Sequence, residues 1–411
     1  MYKLLLIGVN TRAMINSGLK LDYDIYSSSY YKTYDSAKVN ETYILKQKAN
    51  KSCGYFEEEY NPIKLLNKSK EFLEICDYII LCSGISPNDF TGEYEQYLKK
   101  IIGNINTQDI EDKYRFYKKN SNEFLIPETF NKIDIYECLE IIKNKPNTSY
   151  IAKPTKGSGG YGVYVLNNKT INQYKSTEKL YENFMENKII LQEHINGTNI
   201  SSSTLSTKKE TKTLINSRLL NQKDYNENSY KYSGNILPLN EKTLKYKNKK
   251  ENIEKINTKT LNTEINEISE KIIKKLKLIG NNGVDMIIDP KGEIYIIEVN
   301  PRLQGTYESI EKLLNINLLE AHIKACNGEL IKIGKYKGYS FKKLLYTEEK
   351  VKIKNLQNKN IYDIPYPNTI FEKNQPLVSI ITKDTSLEKV KNNIKISENK
   401  VKENIKLDNT T

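Results

Sequence analysis

Four of the chain's 19 glycines fall within six positions, in the stretch "IAKPTKGSGGYGV" at residues 151–163. Glycines packed this densely serve a backbone that turns through positive φ or that must come close to something else. The flanks narrow the choice. "SYIAKP" before the cluster reads as a strand, and "YGVYVLN" after it reads as a second strand. A dinucleotide-binding turn needs a helix directly after its glycines, and a phosphate-binding P-loop needs Gly-Lys-Ser/Thr; neither follows. What fits is a flap between two strands, whose exposed N–H groups can cover phosphates. Protein kinases use such a flap, but the HRD and DFG segments they require are missing. A tight hairpin that merely needs positive φ is the alternative reading.

A chain of 411 residues is too long for one ordinary core, so two to four subdomains are expected. No apolar run reaches the roughly 18–20 residues of a membrane span, and "MYKLLLIGVN" reads as a strand too short for a signal peptide. Five cysteines are scattered without CxxC pairing, which points to reduced thiols in a cytoplasm. The formal charge of +13 is spread as lysine among asparagine, isoleucine and tyrosine. It forms no patch with interleaved aromatics, which argues against specific nucleic-acid binding. Only four of the 64 basic residues are arginines (Arg12, Arg115, Arg218 and Arg302), so each marks a position where a forked guanidinium has a use that lysine cannot fill.

Along the chain, residues 1–108 alternate strand and helix, as in "YKLLLIGV", "TRAMINSGLKL" and "DYDIYSSS", then "NPIKLLNKSKEFLEIC" and "DYIILCSG". This predicts a parallel, doubly wound α/β sheet. Residues 109–330 open with one helix, "DIEDKYRFYKKN", and continue as α+β. A helix to about 144 precedes the glycine strands, and another precedes the strand "KIILQEHI". Residues 241–262, rich in Lys and Asn, read as a surface loop. Residues 331–411 read as a small β-rich unit ending in a basic helix.

A second constellation lies in "GVDMIIDPKGEIYIIEVNPRLQG". This is a hairpin that turns at Pro290 and Gly292. Asp285 sits on one strand, with Glu298 and Asn300 on one face of the other. A carboxylate placed among such apolar residues is costly unless a cation meets it. Mg²⁺ takes hard oxygen ligands, commonly one or two carboxylates plus substrate phosphates. Polar residues at a solvated sheet edge are the competing reading.

In this order the segments resemble the ATP-grasp superfamily, and within it the predicted ATP-dependent carboligases related to biotin carboxylase. "DKYR", "IAKPTKGSGGYGV", "LQEHINGT", "YSGNILPL", "NNGVDMIID" and "IEVNPRLQGTYE" carry the resemblance, which spans nearly the whole chain. It implies ATP bound between two α+β lobes, with the lid at roughly 126–191. It also implies a carboxylate activated as an acyl phosphate and attacked by an amine or similar nucleophile. By resemblance, Lys113 and Lys153 contact phosphate, and Gly157, Ser158, Gly159, Gly160 and Gly162 form the flap. Gln192, Glu193, His194 and Ile195 form the hinge at the adenine edge. Asp285, Glu298 and Asn300 hold Mg²⁺, or Mn²⁺ in its place. Arg302 stands beside the transferred phosphate and is assigned, with Lys153, to catalysis.

One departure stands out. Asn199 occupies the place where many relatives carry an acidic ribose ligand. His194 is expected to expose its ring beside the hinge, and His322 to be structural. The implied partners are small carboxylate and amine substrates, with a homodimer left open. Two other readings are carboxylation through carboxyphosphate and a non-catalytic nucleotide binder that has kept the fold.

Overall fold

The computed structural model describes residues 1–45, 47–52, 60–131, 135–157, 159–170, 189–225, 229–246 and 258–407. The helix expected before "KIILQEHI", together with Ser158 and Cys53, lies outside them. Among the described residues no helix is long and apolar enough to cross a membrane.

The N-terminal sheet is parallel, in the order β3-β2-β1-β4, with β1 Tyr2–Gly8, β2 Tyr23–Tyr31, β3 Asn40–Leu45 and β4 Tyr78–Leu81. Its first strand is apolar on both faces because both are covered. Leu4 and Leu6 pack with Met14 and Ile15 of the helix Arg12–Gly18, while Leu5 and Ile7 pack with Leu65, Leu66 and Leu73 of the helix Pro62–Ile75.

A four-stranded antiparallel sheet carries the glycine loop. It has the order β5-β8-β6-β7, with β5 Thr129–Asn131, β6 Tyr150–Pro154, β7 Tyr164–Leu166 and β8 Ile189–Glu193. The central sheet has eight antiparallel strands in the order β13-β12-β9-β10-β11-β14-β18-β16. They are β9 Thr198–Ser206, β10 Thr211–Asn221, β11 Tyr232–Leu237, β12 Gly280–Ile288, β13 Ile294–Asn300, β14 Tyr339–Tyr346, β16 Ile361–Tyr362 and β18 Pro376–Asp384. Strands from beyond residue 331 therefore continue this sheet. A second small sheet joins β17 (Ile370–Phe371), β15 (Val351–Ile353) and β19 (Ile405–Leu407), so a short strand follows the basic helix Leu387–Glu403.

Two local expectations need correction. The helix read over 109–120 is two helices, Gln108–Glu111 and Lys113–Asn120. Asp112 is extended between them, and its carboxylate accepts from the Tyr114 and Arg115 amides at 3.1 and 3.0 Å, as an N-cap does. The stretch 241–262 is not all loop. Asn240 caps a turn of helix at Glu241–Leu244, and a long helix runs Thr258–Lys275. Leu261, Ile265, Ile272 and Ile273 of that helix pack on Ile200, Val284 and Met286 of the central sheet.

Candidate functional site

The glycine-loop sheet and the central sheet enclose a cleft of about 480 Å³. Lys113, Lys153, Gly157, Gly159, Gly160, Gln192, Glu193, His194, Ile195, Asn199, Asp285 and Glu298 all reach its wall. Gly162, Asn300 and Arg302 do not line it.

The helix break at Asp112 aims Lys113 across the cleft. Its Nζ donates to Gly157 O at 2.9 Å and lies 3.8 Å from Glu298 Oε2. Lys153, at the end of β6, is buried, and its Nζ donates to Gln192 Oε1 at 2.7 Å. The Gln192 amide in turn donates to Thr129 Oγ1 at 2.8 Å, which fixes the acceptor toward the lysine. Burial, and then the neighbouring Lys113 charge, push the Lys153 ammonium down to about 7, against the pull of Glu298. Gln192 is thus a support for Lys153.

The glycine loop is seated on the central sheet. Gly157, Gly159, Gly160 and Gly162 all have positive φ. Gly159 O accepts from the Tyr232 amide at 3.0 Å, and a Cβ on Gly160 would collide with the Tyr230 carbonyl.

At the hinge, the Glu193 and His194 amides are spent on Glu128 O and Ser149 O, at 2.8 and 2.9 Å. Those two N–H groups are therefore already paired within the protein. His194 does not simply point into solvent. It is half-buried, with Nε2 3.2 Å from Tyr230 Oη, and burial and then Lys223 push it down to about 4. His322 is structural, accepting from the Asn281 amide at Nδ1 and facing Ile102 O with Nε2 at 3.0 Å.

On the opposite wall, β12 and β13 place Asp285 directly across from Glu298. Asp285 Oδ1 accepts from Ser201 Oγ at 2.5 Å and from the Gln304 amide at 3.2 Å, while Oδ2 accepts from Asn300 Nδ2 at 3.0 Å. Burial and then Glu298 push the Asp285 carboxyl up, against Ser201, Arg302 and Asn300. Two crowded carboxylates give hard oxygens that suit a divalent cation, which would replace the proton this crowding favours, while Asn300 turns its amide nitrogen toward both. Arg302 lies just past them. It donates to Leu303 O at 3.2 Å and borders a small cavity against Leu81, Ile85 and Asn104.

Sequence reasoning missed several cleft residues. Arg218 on β10 pairs with Asp224 at 3.1 Å, and both line the cleft with Lys223 and Tyr230. Asp224 brings a carboxylate to the same wall as Asn199. The arginine was flagged by its rarity, but its position was not. Ser201 and Gln304 carried no motif of their own.

Residues 110–306 match the ATP-grasp domain family. The chain is 30% identical over 393 residues to an uncharacterized protein of Methanocaldococcus jannaschii, covering 93% of this chain and 88% of that one. The chain belongs to the ATP-grasp superfamily. A D-alanine–D-alanine ligase of Petrotoga mobilis is 28% identical over 192 residues, covering 46% of this chain and 56% of the ligase. This ATP-grasp chain has the fold of the biotin carboxylase of Campylobacter jejuni, with a TM-score of 0.69 at 15% identity over 99% of this chain and 92% of that one. It also superposes on pyruvate carboxylase of Rhizobium etli (TM-score 0.69, 14% identity) over 96% of its own length, but spans only 37% of that longer chain.

Proposed function

We propose that the chain is an ATP-dependent ligase that joins a small carboxylic acid to an amine, releasing ADP and phosphate. The observation that carries this reading is the convergence of two lysines, the seated glycine loop and the facing Asp285 and Glu298 carboxylates on one cleft. Lys113 and Lys153 would contact the triphosphate, and the backbone of the glycine loop would cover it. Asn199 and Asp224 are the candidates for the ribose hydroxyls. Asp285, Glu298 and Asn300 would hold Mg²⁺ or Mn²⁺, which when bound offsets phosphate charge.

The reaction balances in two steps. A carboxylate oxygen attacks the γ-phosphorus, an O–P bond forms, and the bond to ADP breaks. The free amine then attacks the acyl carbon, the C–O bond to phosphate breaks, and the amine loses a proton. Arg302 is the residue proposed to meet the transferred phosphoryl oxygens, where a planar fork can bind two at once.

The test is ADP release with ATP and Mg²⁺ across a panel of amino acids, amines and bicarbonate. Release that needs both a carboxylic acid and an amine supports the ligase. Release driven by bicarbonate alone would instead favour carboxyphosphate chemistry. No release with any of them, despite nucleotide binding, would leave a binding protein.

A further inference from the structure

A row of polar side chains crosses three strands of the glycine-loop sheet. β8 pairs Gln192 with Thr129 of β5 on one side and with Ile151 of β6 on the other. Lys153 lies two residues beyond Ile151, so Thr129, Gln192 and Lys153 fall on one face of the sheet. All three are buried. Lys153 and Gln192 reach the wall of the large cleft, whereas Thr129 does not line it.

The row has a direction, and its far end sets it. Thr129 Oγ1 donates to Pro127 O at 2.8 Å, which leaves the same oxygen to accept. It accepts from Gln192 Nε2 at 2.8 Å, and this turns Gln192 Oε1 toward Lys153 Nζ, 2.7 Å away. Turned over, the amide would set its N–H groups against an ammonium, donor to donor, and Thr129 would have to give up Pro127 O. A buried donor without an acceptor is costly, so one orientation of the amide satisfies both ends.

The acceptor given to Lys153 is also neutral. A carboxylate in its place would hold the ammonium in a closed ion pair and cancel charge that a phosphate could use. The carboxamide takes one of the three ammonium N–H groups, fixes the side chain and leaves its charge intact.

We propose that Thr129 is a positioning residue for the cleft, which acts through the Gln192 amide to aim the Lys153 ammonium at the nucleotide's phosphates. This rests on the reading of Lys153 as a phosphate contact. The experiment titrates a non-hydrolysable ATP analogue with Mg²⁺ into the full chain as wild type, Thr129→Val, Thr129→Ser, Lys153→Met and the Thr129→Val/Lys153→Met double variant. Valine keeps the shape of threonine but frees the amide to turn, so affinity should fall about tenfold, the scale of one misdirected hydrogen bond. Serine keeps the oxygen and should bind within about twofold of wild type. In the Lys153→Met background the valine change should have no further effect, because the group it acts through is gone. Wild-type affinity in Thr129→Val, a serine variant as weak as the valine one, or a valine effect that persists without Lys153 would each overturn the assignment. Thr129→Ala takes the place of valine if that variant does not fold. The contrast with serine decides the matter if Lys153→Met binds too weakly to titrate. If the analogue fails to bind the wild type, or binds Lys153→Met equally well, it is the phosphate-contact reading that falls.

Discussion

The carbonyl of Gly159 accepts a hydrogen bond from the amide of Tyr232 at 3.0 Å, which ties the glycine loop to β11. From the other side Lys113 Nζ holds Gly157 O at 2.9 Å. The loop is gripped by the central sheet and by the helix that starts at Lys113. Gly160, at φ 75°, packs against the Tyr230 carbonyl between those grips. We predict that Gly160→Ala unseats the loop. An alanine at positive φ costs about 1–2 kcal/mol, close to tenfold in a constant. Nucleotide affinity should fall by at least that factor, while urea unfolding of the nucleotide-free chain changes little. Unchanged affinity would show that the seated loop takes no part in binding.

We predict that binding of a nucleoside triphosphate protonates Lys153. Its folded value of about 7 lies well below the roughly 10.4 of an unfolded lysine. Between the two the unfolded chain binds more protons, so this residue's contribution to stability rises as pH climbs from about 7. A triphosphate placed against Lys153, as proposed, would reverse the depression. Calorimetry at about pH 8, in two buffers of different ionisation heat, should show uptake approaching one proton, absent in Lys153→Met. Equal heats in both buffers would place the phosphates away from this lysine.

Asp285 and Glu298 repel each other when no cation lies between them. Glu298→Gln should therefore relieve that repulsion and stabilise the metal-free chain by about 1 kcal/mol. The same variant should lose Mg²⁺-dependent ADP release, because an amide is a poor ligand beside a triphosphate. Denaturant melts with and without Mg²⁺ read the first effect, and the ADP assay reads the second. A variant less stable without metal, yet fully active, would contradict the assignment.

The ion cluster of Arg12 and Lys342 with Asp35, Glu308 and Asp363 makes a different forecast. Burial alone would raise Asp363 and Glu308, but Arg12 and then Lys342 outweigh it and hold both carboxyls below their usual range. Depressed carboxyls contribute stability above their unfolded value, near pH 4, and lose it as pH falls further. Arg12→Met takes the buried guanidinium away from Asp363, Glu308 and Asp35 and should cost about 3 kcal/mol at pH 7. The gap from wild type should shrink near pH 4, as the carboxylates of the variant take up protons. Urea melts at both pH values check this, and a gap that widens in acid would contradict it.

How much of this was legible depended on where each residue's partners lie. β1 could be read because both faces of "LLLI" are apolar and both are covered. The β12–β13 hairpin could be read because its carboxylates interrupt an apolar alternation. β9, "TNISSSTLS", could not. It is almost wholly buried, yet it is written in serine and threonine, because it lies between β12 and β10 and spends its hydroxyls on Asp285, Asn281 and the Asn282 carbonyl. No hydrophobic period marks such a strand. The Arg12–Asp363 pair spans 351 positions, and no local pattern reports a contact at that range. Rarity singled out Arg12 and Arg218 as unusual residues, but only the fold shows which carboxylates they answer.

The order of strands in the central sheet also has a consequence for how the chain is made. β11 ends at Leu237, but its partner β14 begins only at Tyr339, and β14 in turn waits for β18 at Pro376–Asp384. During synthesis the first five strands of the sheet can assemble while β11 remains an open edge, with its N–H and C=O groups unpaired. The edge is sealed only once residues 339–346 have been made and can pair with it. Strands made about a hundred residues later therefore guard the nascent protein against pairing with its neighbours.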